Sequence, residues 1–232
     1  NGVMYMFIGR RDELKFLEDK YQSKDGQLIV IYGRRRIGKT ETIRKFCENK
    51  QHIFYTCVEC PDEQQLKAFS SRVLQAKIPA AQYVSTFGDW EQAFRSIAQM
   101  QGTEKKILVI DEFPYMVKGN KSIPSILQNL WDEVLKNENV MIILCGSAMS
   151  FMEKEILAEK NPLYGRATGI LKINEMNFYD AIQFVSKYNS ADKIMTYAIL
   201  GGIPHYLKQF DDSISLEKNI EKNILTRGSV LY

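Results

Sequence analysis

One segment constrains the fold of this chain more than any other, because it joins a glycine-rich turn to a lysine and a hydroxyl residue. The segment is Gly33-Arg34-Arg35-Arg36-Ile37-Gly38-Lys39-Thr40, and it directly follows the apolar run of residues 27–32. A helical pattern begins at its lysine. Between a strand and a helix, such a segment can curl so that its backbone N–H groups face inward, beside the positive end of the helix dipole. It is therefore predicted to cradle a chain of phosphates.

The residues of this loop have distinct predicted roles. Lys39 would reach the β- and γ-phosphates of a nucleotide, and Thr40 would offer its hydroxyl to Mg²⁺, which also needs a carboxylate nearby. The predicted nucleotide contacts here are Gly33, Arg34, Arg35, Arg36, Ile37, Gly38, Lys39, Thr40 and Glu41. The three arginines could also form a nucleic-acid patch. A solvated run of charge is the preferred interpretation, because residues on the outside of such a loop face solvent.

Two carboxylates at the end of an apolar strand could provide the acidic group that Mg²⁺ needs beside Thr40. Asp111 and Glu112 follow the run Ile107-Leu-Val-Ile, which is typical of the Walker B arrangement. At the carboxyl end of a parallel strand, Asp111 can hold Mg²⁺ through water, and Glu112 can polarise the attacking water as a general base. The alternative is a strand followed by an acid that caps a helix, a combination that is common in α/β proteins.

A small polar residue follows another apolar strand. Residues 140–145 lead into Gly146-Ser147-Ala148, where Ser147 could touch the γ-phosphate or orient the attacking water. Ser147 is therefore the candidate sensor of the nucleotide. It could also be the N-cap of the next helix, a role that does not exclude the first.

Short apolar runs alternate with longer amphipathic segments up to Ile173, which favours a parallel sheet with crossover helices. The predicted strands are 27–32, 52–57, 106–111, 140–145 and 169–173. The predicted covering helices are 39–49, 62–76, 89–100, 122–136 and 149–159. Beyond Ile173 only helical patterns occur, over 177–187, 191–200, 204–210 and 215–225. We therefore predict an α/β domain over residues 1–173 and a helical lid subdomain over residues 174–232.

Composition and charge leave the partner open. The formal net charge is +3 over 232 residues, which is too small to imply a nucleic-acid or membrane partner. The longest apolar runs are far shorter than the roughly 20 residues that span a bilayer. No secretion signal is apparent, so a cytoplasmic, reducing setting is predicted. Cys57 and Cys60 have the CxxC spacing of some zinc and redox sites, but no second ligand pair accompanies them, and ordinary buried cysteines are preferred.

Five motifs together resemble a known family of ATPases. They are Phe7-Ile-Gly-Arg-Arg-Asp-Glu-Leu14, the loop of residues 33–40, Ile110-Asp-Glu-Phe113, Pro162-Leu-Tyr-Gly-Arg166 and Gly201-Gly-Ile-Pro204. On these motifs the chain resembles the archaeal and bacterial ATPase family within the STAND class of P-loop NTPases, relatives of AAA+ and origin-recognition ATPases. The resemblance covers nearly the whole chain. It implies a three-layer α/β/α sandwich whose five-stranded parallel sheet has the order 5-1-4-3-2.

The resemblance also implies a slot for adenine. The residues that it places there are Phe7, Ile8, Gly9, Arg10 and Pro204. A flat, apolar and rigid surface suits a purine, which gives this assignment physical sense. Each motif has an ordinary alternative, because the N-terminal one could simply begin a helix and the glycines of residues 201–202 could simply end one.

For Arg166 the resemblance implies a sensor or finger that stabilises charge on the γ-phosphate, in cis or from a neighbouring subunit. The alternative is a surface salt bridge. Family members commonly continue into a C-terminal region of winged-helix or nuclease-like character, through which DNA or a protein partner would be contacted. The chain ends at Tyr232 without a capped terminus, and we expect it to be part of a longer protein.

The sequence thus predicts an ATPase that binds ATP or ADP with Mg²⁺ and changes conformation with nucleotide state, the lid being the moving part. The predicted catalytic residues are Lys39, Glu112, Ser147 and Arg166, and the predicted metal ligands are Thr40 and Asp111. The main rival is a non-hydrolytic ATP- or ADP-binding regulatory module, against which Glu112 argues. A second rival is a small-molecule kinase or a GTPase. The kinase would need an acceptor pocket, and the GTPase would need a guanine-reading Asn-Lys-x-Asp element, which is not found. The oligomeric state and the trigger stay open.

Overall fold

The computed structural model describes residues 7–76 and 78–232, and five strands within them form one parallel sheet. The strands are β1 (Gln27–Tyr32), β2 (His52–Thr56), β3 (Lys106–Asp111), β4 (Val140–Gly146) and β5 (Gly169–Lys172). Their order across the sheet is β2-β3-β4-β1-β5. The predicted fold class is confirmed, since this order is 5-1-4-3-2 counted from the opposite edge.

Burial along the strands follows their place in the sheet. Every residue of β1 and β4 is buried, as expected for central strands of a parallel sheet that is covered on both faces. At the edge, β5 alternates between partly buried and exposed residues. Phe69, Trp90 and Phe94 pack beside the sheet, with ring centroids 5.3 to 5.5 Å apart. The apolar runs of the sequence therefore form the core of the α/β part.

The predicted helices of the α/β part are shorter than expected, and several are followed by a 3₁₀ segment or a π turn. They are α1 (Arg11–Tyr21), α2 (Lys39–Cys47), α3 (Asp62–Leu74), α4 (Trp90–Arg95), α5 (Phe113–Gly119), α6 (Ile123–Glu133) and α7 (Met149–Phe151). The 3₁₀ segments are Pro79–Gln82, Ser96–Gln99 and Leu135–Asn137, and Met152–Ile156 is a π turn. Helix α4 begins one residue later than predicted because Asp89 is its N-cap and accepts from the N–H of Gln92.

The C-terminal residues are helical, as predicted. The helices are α8 (Phe178–Ala181), α9 (Ser190–Leu200), α10 (Pro204–Leu207) and α11 (Leu216–Ile220), with the 3₁₀ segment Ile182–Val185 and the π turn Glu221–Leu225. Three of them begin at capping side chains, namely Asn177, Asn189 and Ser215, each of which accepts from the backbone N–H three residues later. Their apolar faces share a separate core.

The described chain divides into two compact units. One contains residues 7–12, 35–38 and 173–232, and the other contains residues 13–34 and 39–172. The predicted domain boundary after residue 173 stays a prediction. Among the helices of residues 7–76 and 78–232, none is long and apolar enough to cross a membrane.

Candidate functional site

The loop of residues 33–40 connects the carboxyl end of β1 to α2. Two of its residues have left-handed backbone angles, Arg36 with φ 67° and Gly38 with φ 93°. Glycine adopts such angles at little cost, whereas a side chain makes them unfavourable. The side chains of residues 34–36 are exposed and that of Ile37 is buried. The three arginine side chains are thus exposed, as both the solvated-charge interpretation and the nucleic-acid alternative require.

Lys39 is the first residue of α2, and it is only 6% exposed. Its Nζ donates to the carbonyl oxygens of Gly33 and Arg34, each at 2.9 Å. The ammonium group therefore lies against the start of the loop. Lys39 and Asp111 also affect the pKa of the Cys145 thiol in opposite directions. Burial of the thiol raises this pKa most, the Asp111 carboxylate raises it further, and the Lys39 ammonium group lowers it.

A hydrogen bond joins α2 to the end of β3. Thr40 Oγ1 donates to Asp111 Oδ2 at 2.8 Å, and Asp111 Oδ1 accepts from the N–H of Glu112 at 3.0 Å. A hydroxyl and a carboxylate on neighbouring elements suit Mg²⁺, which takes few protein ligands and keeps waters or phosphate oxygens. No group of three or more His, Cys, Asp or Glu within the described residues could hold an ion.

Glu112 lies between Asp111 and α5 in a left-handed conformation, with φ 54° and ψ 42°. This conformation is costly for a residue with a side chain, and such residues cluster at functional sites. The Glu112 carboxylate does not cap the helix. It is held by Ser147, whose hydroxyl donates to Oε1 and whose backbone N–H donates to Oε2 at 3.3 Å. The polar ends of β3 and β4 are therefore in direct contact.

Ser147 is not the N-cap of the helix that follows, so that alternative is wrong. The cap position of α7 belongs to Ala148, which makes no side-chain cap hydrogen bond. Gly146, which precedes Ser147, leaves no room for a side chain, since a Cβ there would lie 2.6 Å from Met152 Sδ. The residue before Ser147 is therefore closely packed.

Arg166 forms an ion pair with Asp132 on α6. Its Nε and Nη2 donate to Asp132 Oδ2 at 2.9 and 2.7 Å, and its Nη1 donates to the carbonyl of Pro162 at 3.0 Å. The hydrogen bond from Arg166 lowers the pKa of Asp132. This is the geometry of the salt-bridge alternative, and the phosphate-sensing role of Arg166 stays a prediction. Sequence reasoning missed Asp132, because a partner 34 residues away leaves no local signal.

Arg10 and Pro204 approach the loop residues that belong to their own compact unit. Arg10 is 5% exposed, and its Nη2 donates to the carbonyl of Ile37 at 2.8 Å. A Cβ on Gly38 would lie 3.7 Å from Pro204 Cγ, an ordinary van der Waals distance. Of the residues assigned to the adenine slot by resemblance, Arg10 thus binds the loop at Ile37, and Pro204 lies near Gly38.

The rest of the N-terminal motif leads into α1, so the motif does begin a helix. Phe7 and Ile8 are partly buried. Gly9 has φ 68°, and a Cβ there would lie 2.8 Å from the carboxylate of Asp180. A larger residue would be strained at Gly9 on both counts. The predicted contact of these residues with adenine stays a prediction.

The second glycine motif ends a helix, as its alternative interpretation allowed. Gly201, with φ 62°, is the C-cap of α9. A Cβ on Gly202 would lie 2.0 Å from the carbonyl oxygen of Met176, whose N–H donates to the Gly202 carbonyl at 2.8 Å. The two backbones are therefore in close contact just before Pro204.

The CxxC cysteines are free thiols, like Cys47 and Cys145. Cys57 is buried, and burial raises the pKa of its thiol. Cys60 is partly buried, and its Sγ donates to Gln65 Oε1 at 3.0 Å. These contacts fit ordinary packing of thiols in a protein interior.

Comparison with known proteins decides the family. The sequence model of a family described as "ATPase domain predominantly from Archaea" matches residues 7–210. The chain belongs to this family. It is 39% identical over 204 residues to the uncharacterized protein MJECL04 of Methanocaldococcus jannaschii, a match that covers 88% of this chain and 44% of the relative. The chain thus spans less than half the length of that protein. Over 46 residues, or 20% of the chain, it is 54% identical to the uncharacterized ATP-binding protein MJ0423 of the same organism, covering 78% of it.

Solved structures of other proteins share the fold. The Walker-type ATPase PABY2304 of Pyrococcus abyssi superposes with a TM-score of 0.72 at 20% identity, covering 93% of this chain and 72% of the other. The ORC2 protein of Aeropyrum pernix, solved as ADPNP–ADP complexes, gives 0.67 at 14% identity, with 97% and 72% coverage. The ORC1 protein of the same organism, solved with DNA, gives 0.59 at 12% identity, with 88% and 59% coverage. These likenesses establish the P-loop ATPase fold.

Proposed function

We propose that this ATPase-family domain binds ATP with Mg²⁺ and hydrolyses it to ADP and phosphate. The observation that carries the proposal is the run of contacts from Thr40 through Asp111 and Glu112 to Ser147. It brings a hydroxyl and a carboxylate suited to Mg²⁺ next to a second carboxylate that can accept a proton from water. Membership of the ATPase family and the ADPNP–ADP complexes of the Aeropyrum ORC2 protein support the choice of nucleotide.

Each residue would act by position and charge. The Lys39 ammonium and the backbone N–H groups of residues 33–40 would hold the phosphates. Thr40 and Asp111 would hold Mg²⁺, which when bound neutralises charge on the phosphate oxygens. Glu112 would accept the proton of the attacking water, and Ser147 and Arg166 would sense the γ-phosphate. The proposed adenine contacts are Phe7, Ile8, Gly9, Arg10 and Pro204.

Steady-state phosphate release from Mg²⁺–ATP tests this proposal. We expect Glu112→Gln to lower turnover by at least about 100-fold, because it keeps the shape of the side chain and removes the base. Glu63→Gln, which changes an exposed glutamate in the first turn of α3, is the matched control and should retain turnover. Equal turnover in the wild type and in Glu112→Gln would reject Glu112 as the general base.

A second candidate is a regulatory module that binds ATP or ADP without hydrolysis. The observation in its favour is that Ser147 occupies both carboxylate oxygens of Glu112. In that case the wild type would bind ATP and release no phosphate in the assay above. A clear preference for GTP over ATP in competition binding would argue against both candidates.

We further propose the finer features that the family resemblance implies. They are membership of the STAND class, a nucleotide-driven movement of residues 174–232 as a lid, and a link to DNA or a protein partner through a region outside this chain. A cytoplasmic location, predicted from the sequence and not from the resemblance, is also proposed. The ORC1 protein of Aeropyrum pernix was solved with DNA. Because the proposed link runs through a region outside residues 1–232, double-stranded DNA added to the phosphate-release assay of this chain should leave turnover unchanged, and a rise in turnover with DNA would place the link within this chain instead.

A further inference from the structure

A cleft lies at the amino-terminal ends of the central strands, at the opposite end of the sheet from the phosphate-binding loop. It has a volume of about 400 Å³ and is lined by residues 21–24, 104–105 and Asn139. These lining segments lie just before β1, β3 and β4, and all of them belong to the compact unit of residues 13–34 and 39–172. Sites for small molecules measure about 300–1,000 Å³, so the cleft is large enough for one.

Backbone hydrogen bonds hold the walls of this cleft together. The N–H of Gly26 donates to the carbonyl of Lys136 at 2.9 Å, and the N–H of Lys106 donates to the carbonyl of Asn139 at 3.0 Å. A Cβ on Gly26 would lie 2.2 Å from the carbonyl oxygen of Leu135, so these segments also pack closely. The cleft is therefore formed before any ligand binds, as small-molecule sites usually are.

Lys105 is a buried cation on the wall of the cleft. It is only 4% exposed, and its Nζ donates to the carbonyl oxygen of Asp25 at 2.9 Å. Burial lowers the pKa of Lys105, and the Asp25 carboxylate opposes that effect. An ammonium group has three N–H donors, but within residues 7–76 and 78–232 this one has neither a second acceptor nor an ion-pair partner. A buried charge without a partner is unfavourable, and an anion in the cleft would relieve that penalty.

The Ser23 hydroxyl lies near the same carbonyl as Lys105. It accepts from Gln27 Nε2 at 3.2 Å, and the Gln27 amide also donates to the Asp25 carbonyl at 3.3 Å. A hydroxyl can accept and donate at the same time, and its own proton has no acceptor in the part of the chain that the structure describes. Lys105 and Ser23 thus provide donors around one point of the cleft.

The charges around the cleft indicate the charge of its ligand. Lys24 and Glu104 line it together with Lys105, and both are exposed. Two lysines and one glutamate give the lining a net charge of +1. A monoanion balances this charge, whereas the Glu104 carboxylate would repel a dianion such as phosphate. Tyr21 adds an aromatic ring, which packs edge-on against Phe46 with centroids 6.0 Å apart. The lining therefore suits a carboxylate that is joined to an apolar group.

We propose that this cleft binds a small organic molecule with a single carboxylate. The carboxylate accepts from the Lys105 ammonium group and the Ser23 hydroxyl, and the apolar part of the molecule lies against the Tyr21 ring. Binding pairs the buried charge of Lys105 with an anion. The site is distinct from the nucleotide site of the proposed function and does not depend on it.

Titration with sodium benzoate, followed by ligand-observed NMR, tests this site. Benzoate combines one carboxylate with one aromatic ring, and we expect it to bind the wild type. Lys105→Met keeps an unbranched side chain and removes the charge, so it should weaken benzoate binding by at least about tenfold. Lys121→Met, which removes an exposed lysine outside the cleft, is the matched control and should keep the wild-type affinity.

Two further measurements do not require Lys105 to be replaced. Benzamide has the shape of benzoate without its charge, and it should bind the wild type at least about tenfold more weakly. Ser23→Ala removes the second donor and should weaken benzoate binding by about three- to tenfold. Equal binding of benzoate and benzamide, or an unchanged benzoate affinity in Lys105→Met or Ser23→Ala, would overturn the inference. A wild type that binds no benzoate would overturn it as well, and the proposed function would still stand because its site lies at the other end of the sheet.

Discussion

The edge of the sheet and the segment around Arg10 differ in how their residues are held. At the sheet edge, hydrogen bonds link Thr40, Asp111, Glu112 and Ser147, and the acceptor in each is a side-chain carboxylate. Around Arg10 the close contacts involve backbone, as in the bond from Arg10 to the carbonyl of Ile37 and in the close approach of other backbone atoms. The sheet edge therefore presents groups that can bind ligands or transfer protons, whereas the contacts around Arg10 hold the backbone in place.

This difference makes a general expectation. Substitutions at the sheet edge should lower turnover and leave the fold intact, because these side chains are not large parts of the core. Substitutions at the tight glycines of the other unit should lower the free energy of unfolding, because any side chain there meets backbone or a packed group.

The largest effect is expected at Lys39. Lys39→Ala should lower steady-state phosphate release by at least about 100-fold, since it removes the cation that would neutralise the β- and γ-phosphates. Lys45→Ala, which removes an exposed lysine from the same helix, is the matched control and should keep turnover. If the Lys39 variant unfolded at a much lower temperature than the wild type, the lysine would also be needed for folding. That result would contradict the expectation that substitutions at the sheet edge affect turnover and not stability.

The next effect should be on stability, at Gly202. Gly202→Ala should lower the free energy of unfolding by about 2–3 kcal/mol, because its Cβ would lie 2.0 Å from the carbonyl oxygen of Met176 and the backbone would have to shift. Gly88→Ala is a suitable control, since its Cβ would meet only a side chain at 3.7 Å. Chemical denaturation measures both, and equal midpoints would contradict the predicted difference.

A smaller change is expected at Thr40. Thr40→Val should reduce turnover by about tenfold and raise the Mg²⁺ concentration needed for half-maximal rate, because the hydroxyl that donates to Asp111 is lost at constant shape. Thr40→Ser keeps the hydroxyl and should stay close to wild type. If the valine and serine variants had the same magnesium dependence, Thr40 would not be a metal ligand.

Strands β1, β3 and β4 were predictable because they are continuous apolar runs that are buried on both faces. The observed β1 and β3 have the predicted ends, and the others differ by one residue. Helix ends were predicted less well. Helix α5 was not predicted, because it has seven residues and includes Pro114, which suits a first turn but gives no helical periodicity. Local pattern thus specifies the sheet better than the short helices on it.

Most of the site contacts that could not be predicted join residues that lie far apart in the sequence. Apolar strands that end in polar residues placed Asp111 and Ser147 at the same edge, because parallel strands have their carboxyl ends together. That Ser147 would hold Glu112 was not predictable, since the two lie 35 residues apart and the contact depends on side-chain direction. A salt bridge of Arg166 was one of the two interpretations, but its partner Asp132 was not predicted for the same reason.

The smallest expected effect concerns that ion pair. The hydrogen bond from Arg166 lowers the pKa of Asp132, so the ionised carboxylate stabilises the fold above its unfolded pKa of about 3.9. This stabilisation is lost as the pH falls through the lower, folded pKa. Arg166→Ala should therefore cost less than about 1 kcal/mol of unfolding free energy at pH 7, since both side chains are partly exposed, and still less at pH 3.

Denaturation at pH 7 and pH 3, together with turnover at pH 7, separates the two roles of Arg166. Asp132→Asn breaks the same ion pair and keeps the arginine, so it should match Arg166→Ala in stability. If Arg166 senses the γ-phosphate, only Arg166→Ala lowers turnover, because Asp132→Asn leaves the guanidinium group in place. Equal turnover in both variants, with the same small loss of stability, would leave the salt bridge as the whole role of Arg166.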